Sequence, residues 1–330
     1  MRSERPILAF DSDISDDTRR TVAVLLDEWG LPDLTGPVNI RPMSGGASNV
    51  NLKLEAGSKS YALRICMPDA ERWAVDRRAA IVAQQDAAAA DLAPKIVASR
   101  LPEGHFLSEF LPGGFLTVDR MRREDLLPAV VETLRALHRV TTTSRNFSPF
   151  DDARMFVCLG DKEGAKRPPE FDELYECFLK IETFFKSSPA PRAFCHSDLV
   201  LQNFMVGDRL RLVDWDYAGI GWIAFELASF CCQGGLTAEE TERMLKIYDP
   251  DVDDHQRARV ALMRAVAGVR EAAWAAMAEP ILAGATTPME GWTYQGYLSA
   301  NLQQAKDVWA SSSFEALLEQ ASTFREGALF

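Results

Sequence analysis

Asp198, Asn203 and Asp214 are the residues of this sequence whose types and order fit a definite chemistry. They fall in His196-Ser197-Asp198-Leu199-Val200-Leu201-Gln202-Asn203 and, after Phe204-Met205-Val206-Gly207-Asp208-Arg209-Leu210-Arg211-Leu212-Val213, at Asp214. Gly207-Asp208 reads as a two-residue hairpin turn between apolar strands. Counting back from that turn, Val206 opposes Arg209 and Asn203 opposes Leu212. Side chains alternate along a strand and cross-strand partners share a face, so Asn203 and Asp214 are expected on one side of the ribbon. An amide oxygen and a carboxylate aimed together form a hard-oxygen site suited to Mg2+, which takes few protein ligands and completes its shell with water and phosphate. Asp198, in the loop entering the hairpin, is placed to accept a proton from a substrate hydroxyl. Two metal anchors and a carboxylate that orients the nucleophile are what phosphoryl transfer requires. Taken singly, each residue is an ordinary turn former or cap; the ordered set points to a site.

The elements that must position this set divide near Pro112. Before it, Asp11–Trp29 reads as a helix stopped by Gly30 and Pro32, followed by strands at Val38–Met43, Val50–Leu54 and Tyr61–Cys66. An alanine-rich helix is expected from Pro68-Asp69 to Leu92, and a strand pair at Lys95–Ser99 and His105–Phe110. After Pro112 the spacing is helical at Leu126–Val140, Glu170–Lys186, Ala238–Tyr248, Arg257–Met277 and Tyr294–Trp309, with one short β segment at Phe204–Val213. The expected organisation is therefore a sheet-rich unit over residues 1–112 and a larger helical unit over 113–330, with a ligand cleft between them.

Composition narrows the function classes. A net charge of −12 over 330 residues disfavours nucleic-acid binding through a general basic surface and favours cationic small partners. Arg259, Arg264 and Arg270 interrupt the long apolar helical region, so it is not expected to span a bilayer. The N-terminus lacks the apolar core of a secretory signal, and the six scattered cysteines, without a CxxC pair, read as buried free thiols; a cytoplasmic protein is expected. Nothing in the sequence addresses oligomeric state.

His196-x-Asp198-x4-Asn203 followed by Asp214-Trp215-Asp216-Tyr217-Ala218-Gly219 resembles the catalytic and metal loops of choline/ethanolamine kinases and the related aminoglycoside phosphotransferases. The likeness runs from about Val38 to Trp309. It implies an α+β fold, two-lobed and protein-kinase-like, with a small β-rich first lobe and a larger, mainly helical second. It also implies transfer of the γ-phosphoryl of ATP to an alcohol, with Mg2+ held at Asn203 and Asp214 and with Asp198 as base. Ser44, Gly45, Gly46, Ser48 and Asn49 resemble the family's nucleotide loop, whose small residues let backbone N–H groups reach phosphate. Arg64 corresponds to the cation that the third strand places on the phosphates. Ser108-Glu109-Phe110-Leu111-Pro112-Gly113 resembles the interlobe hinge, where Glu109 and Leu111 meet adenine. Leu134-Arg135-Ala136-Leu137-His138 resembles the helix that follows. His196 is expected to be structural, and Glu226 stands where relatives use aspartate to brace the catalytic loop.

One departure is marked. The family's first-lobe helix carries Asn/Asp-Arg-x-x-Glu, whose glutamate pairs with the strand cation; here Asp76-Arg77-Arg78-Ala79-Ala80 ends on alanine. Gln84, one turn on, is the expected hydrogen-bonding substitute for Arg64, and the missing charge leaves a nucleotide-binding pseudokinase as an alternative. For the acceptor, aromatic residues among acids in the second unit suit a cationic amino alcohol such as choline or ethanolamine, with Trp274, Trp292 and Asp216 as the expected contacts. The segment around Thr286–Trp292 does not match the acidic aromatic stretch of close choline kinase relatives, so an aminoglycoside-type or other small-alcohol kinase stays open.

Overall fold

A computed structural model describes residues 6–43, 49–66, 75–188, 190–282, 292–310, 313–322 and 327–330. Its first part is a six-stranded sheet in the order β1-β2-β3-β4-β6-β5. The strands are β1 (Ile7–Phe10), β2 (Pro37–Pro42), β3 (Asn49–Ala56), β4 (Lys59–Cys66), β5 (Ile96–Arg100) and β6 (His105–Glu109). β1 lies parallel to β2, a pairing the sequence reading lacked, and the remaining neighbours are antiparallel. Alternation along β2–β4 turns Val38, Ile40, Leu52, Leu54 and Leu63 inward, as a sheet with one covered face requires. The cover is α1 (Asp16–Trp29), which contributes Val22, Leu25 and Leu26. This helix starts later than expected because Ser15 caps it, its hydroxyl accepting from the Thr18 N–H. Gly30 ends it in the left-handed conformation.

The second helix, α2 (Arg77–Ala89), begins at the Asp76 cap and joins the larger core through Ala83, Ala87 and Ala88. A two-residue strand, β7 (Gly114–Phe115), follows the sheet. The helical part comprises α3 (Val118–Arg123), α4 (Leu127–Leu137), α5 (Pro149–Lys162), α6 (Pro169–Ser187), α7 (Ile223–Gln233), α8 (Ala238–Tyr248), α9 (Asp254–Ile281), α10 (Tyr294–Ala310) and α11 (Phe314–Ser322). α9 is buried nearly all round, which is why its sequence shows so little amphipathic contrast. Among the described residues no helix is long and apolar enough to cross a membrane.

Beside β9 (Phe204–Val206) and β10 (Leu210–Leu212), two strands absent from the sequence reading, β8 (Arg192–Cys195) and β11 (Gly219–Trp222), pair to frame the loops. The helices α5 and α7 were likewise not anticipated. All six cysteines are free, four of them buried, while Cys158 is exposed and Cys177 half-buried.

Candidate active site

The loop after β8 carries Asp198, and buried groups set its shape. Ser197 adopts a left-handed backbone (φ 66°), as does Asp214 (φ 66°), a conformation that costs a non-glycine residue roughly 1–3 kcal/mol unless its surroundings enforce it. The enforcement at Ser197 is visible. The fully buried Glu226, from the first turn of α7, accepts from the His196 N–H (2.8 Å) and the Ser197 N–H (2.9 Å). The His196 ring contacts the Val213 carbonyl through Nε2 (2.9 Å) and packs on Trp215. Burial lowers its pKa to about 4, so it is neutral and joins the two loops.

Burial also raises the Glu226 carboxyl to about 7, against the two N–H donors that favour its ionised form. Below pH 4.5 the folded and unfolded carboxyls are both protonated; between 4.5 and 7 only the unfolded one ionises, so rising pH erodes stability until the folded group also ionises. Glu226→Gln removes that erosion. The stability difference between the unmodified protein and Glu226→Gln should shrink by up to ~3 kcal/mol from pH 4.5 to 7.5 in urea unfolding. A constant difference would contradict the assigned burial.

The hairpin departs from its expected register. Val206 pairs with Leu210 and Phe204 with Leu212, so Asn203 meets Val213 through its carbonyl (2.9 Å) and not Leu212. The loop holds three residues because the Gly207 N–H turns back on the Arg209 carbonyl (3.2 Å). Asn203 lies in a short 3-10 turn (Leu201–Asn203) and Asp214 lies past the end of β10, so strand alternation governs neither. The left-handed bend at Asp214 and the 3-10 turn at Asn203 bring them to the loop that holds Asp198. The Asn203 amide donates to the Asp198 carbonyl (2.9 Å) and to its Oδ2 (3.3 Å), which leaves the amide oxygen as the remaining donor atom for a cation.

Charge in this site is unbalanced toward the negative. Burial, then the charge of Glu271, and then those of Asp214 and Asp216, push Asp198 up to about 8 against relief from Arg270. Asp216 is likewise raised, chiefly by burial, with Asp214 adding to it. An oxygen donor set short of positive charge fits a divalent cation of the Mg2+ type, and Asn203 and Asp214 are the residues that would hold it.

Arg64 projects from β4 into the same region at 9% exposure. Its guanidinium pairs with Asp214 (2.9 Å) and Asp216 (3.1 Å). Gln84 is not its partner: that amide donates to the Pro94 carbonyl (3.0 Å), which the short α2–β5 connection places within reach. Asp216, expected among acceptor contacts, has its oxygens engaged by Arg64 and Arg77 (3.6 Å). Asn49 is buried at the start of β3; Ser44, Gly45, Gly46 and Ser48 lie outside the described residues. Glu109 ends β6, exposed, and Leu111 follows in the link to β7. That link is anchored at Gly113 (φ 129°), where an added Cβ would lie 2.3 Å from the Val206 carbonyl oxygen, so only glycine lets the link run against the hairpin.

Trp274 of α9, Tyr294 and Tyr297 of α10, and Trp292 just before α10 bring four rings together. Trp274 lies 6.2 Å from Tyr294 and 6.1 Å from Tyr297, and Trp292 lies 4.7 and 5.7 Å from the same two rings. The Tyr297 hydroxyl donates to Glu271 (2.9 Å) and lies 3.1 Å from Oε1 of Gln233. Glu271 is the same carboxylate whose charge raises Asp198, which joins the ring cluster to the Asp198 loop.

The sequence model of the phosphotransferase enzyme family matches residues 39–279. The chain belongs to this family. The LicA protein of Haemophilus influenzae is 27% identical over 62% of this chain, and the match spans 61% of that relative's length. A choline/ethanolamine kinase family protein of Mesorhizobium loti superposes with a TM-score of 0.74 at 20% identity, covering 92% of this chain and 99% of its own. The choline kinase LicA of Streptococcus pneumoniae gives 0.71 at 17% identity, over 90% of this chain and all of its own. The fold is thus the two-lobed α+β, protein-kinase-like arrangement.

Sequence reasoning passed over two parts of this candidate site. Arg270 and Asp152 form a buried pair (3.1 Å) near Asp198; the signal was an arginine inside an otherwise apolar helix, read as evidence against a membrane span and as the start of a stretch resembling an acceptor-box helix, but not as a buried ion-pair member. Arg77 was noticed solely as part of a motif. Its burial beside Asp216 depends on how α2 docks, which no spacing rule carries.

Proposed function

We propose that this phosphotransferase moves the γ-phosphoryl group of ATP to the hydroxyl of a small cationic amino alcohol of the choline or ethanolamine kind. The observation that carries the reading is the four-ring cluster with Glu271 in it, charge-coupled to Asp198. Ring faces and a carboxylate attract an ammonium group, each good cation–π contact giving about 0.5–2 kcal/mol. Asp198 accepts the hydroxyl proton as the alcohol oxygen bonds to phosphorus and the bond to the ADP oxygen breaks. Asn203 and Asp214 hold Mg2+, which when bound neutralises charge developing on the phosphoryl oxygens. Arg64 faces the phosphates from residues 1–112. The loop of Ser44, Gly45, Gly46, Ser48 and Asn49 covers them, Glu109 and Leu111 meet the base, and residues 113–330 bind the acceptor. His196 and Glu226 keep the loop in shape. The two carboxylates on Arg64 supply the compensation that Ala80 withholds, which favours an active kinase over a degenerate one.

The test is an acceptor panel (choline, ethanolamine, an aminoglycoside and an uncharged polyol) followed by ADP release. Turnover is expected with an amino alcohol. Trp274→Ala should raise its KM at least tenfold with the KM for ATP within twofold of normal. Turnover confined to the polyol or the aminoglycoside would overturn the acceptor class.

A further inference from the structure

Two buried arginines, from different parts of the chain, meet one aspartate. Arg64 of β4, Arg77 of α2 and Asp216 are exposed by 9%, 7% and 8%. Asp216 takes Arg64 on one oxygen (3.1 Å) and faces Arg77 with the other (3.6 Å). None of the three guanidinium nitrogens of Arg77 has a hydrogen-bond partner among the described residues, so this cation is held by charge. Room for its stem comes from Gly104, where an added Cβ would lie 2.8 Å from the arginine's aliphatic carbons.

α2 therefore presents a cation and no carboxylate to this region: Ala80, one turn beyond Arg77, is buried, and Gln84 is engaged on Pro94. Two buried guanidinium groups on one carboxylate repel each other, so an acid from outside α2 has to balance them. Asp214 is the other acid on Arg64, but it is also the residue assigned to the divalent cation. Once that ion claims Asp214, Asp216 is the carboxylate that, among the described residues, is left to both arginines.

We propose that Asp216 replaces, from the metal loop, the carboxylate missing from α2: it is a positioning residue that aims Arg64 at the nucleotide phosphates and, through Arg77, ties α2 to the catalytic half of the molecule. This rests on the kinase reading above. α2 packs on the larger core through Ala83, Ala87 and Ala88, and the Arg77–Asp216 pair adds a charge contact at its first turn.

The experiment uses the full chain and calorimetric binding of AMP-PNP with Mg2+, so that no acceptor need be known. Asp216→Asn should weaken nucleotide binding at least tenfold. Adding Ala80→Glu, which returns an acid to the helix, should bring it back to within about threefold of the unmodified protein. Unaltered binding by Asp216→Asn, or no recovery with Ala80→Glu, overturns the inference while leaving the kinase reading intact. Absence of binding by the unmodified protein overturns both. Should Asp216→Asn not fold, Arg77→Met removes a charge without stranding one. In it the backbone amides of α2 should exchange with deuterium at least tenfold faster at unchanged circular dichroism, and unchanged exchange overturns the tie.

Discussion

Asp198→Asn is expected to lower kcat by roughly two to four orders of magnitude, the usual contribution of a positioned general base. The amide keeps the size of the carboxylate and an oxygen for the Asn203 contact, so the loop geometry survives. What is lost is the ability to take the hydroxyl proton. Folding should not suffer, because Asp198 in the ligand-free protein is a carboxyl that burial and the charge of Glu271 already drive toward its neutral form. Nucleotide affinity should therefore stay within a few-fold and the melting temperature within a few degrees. A purified Asp198→Asn protein retaining a tenth or more of the normal rate would remove the assigned base.

The second large effect is on stability. Arg270 is 2% exposed, bonds Asp152 (3.1 Å) and Glu271, and lies over the rings of Tyr217 (4.8 Å), Phe156 (5.5 Å) and Phe147 (5.7 Å). Arg270→Met keeps much of the volume but leaves Asp152 buried without its countercharge. Breaking a buried pair from one side costs about 3–5 kcal/mol, whereas removing both charges can be nearly neutral. Urea unfolding should show that loss for Arg270→Met and recovery of at least half of it in Arg270→Met/Asp152→Asn. No recovery in the double variant would mean that ring packing, and not charge, makes Arg270 important. Because Glu271 holds the Tyr297 hydroxyl, the single variant should also weaken acceptor binding.

Strands β2 to β6 and helices α4, α6 and α8 were legible because each follows one hydrophobic period, whereas α9 was read from its length of apolar sequence and α5 was missed. The short pieces β7, β8 and β11 were not legible: two to four residues carry too little pattern, and their pairing depends on contacts distant in sequence. Asn203 and Asp214 show a subtler failure. They were placed together by a hairpin register that is off by one, yet they lie on neighbouring backbone through a 3-10 turn and a left-handed residue.

The order of Asp198, Asn203 and Asp214 and the family likeness around them were determined by the sequence alone, since residue type and local spacing settle which atoms can hold a metal or take a proton. Which charge answers which was decided only by the tertiary structure. Arg64 meets Asp214 and Asp216, Arg77 shares Asp216, and Arg270 joins Asp152 to Glu271. Buried ions choose partners by distance in three dimensions, because every charge removed from water must find its counterpart wherever the packing of helices and sheet brings one.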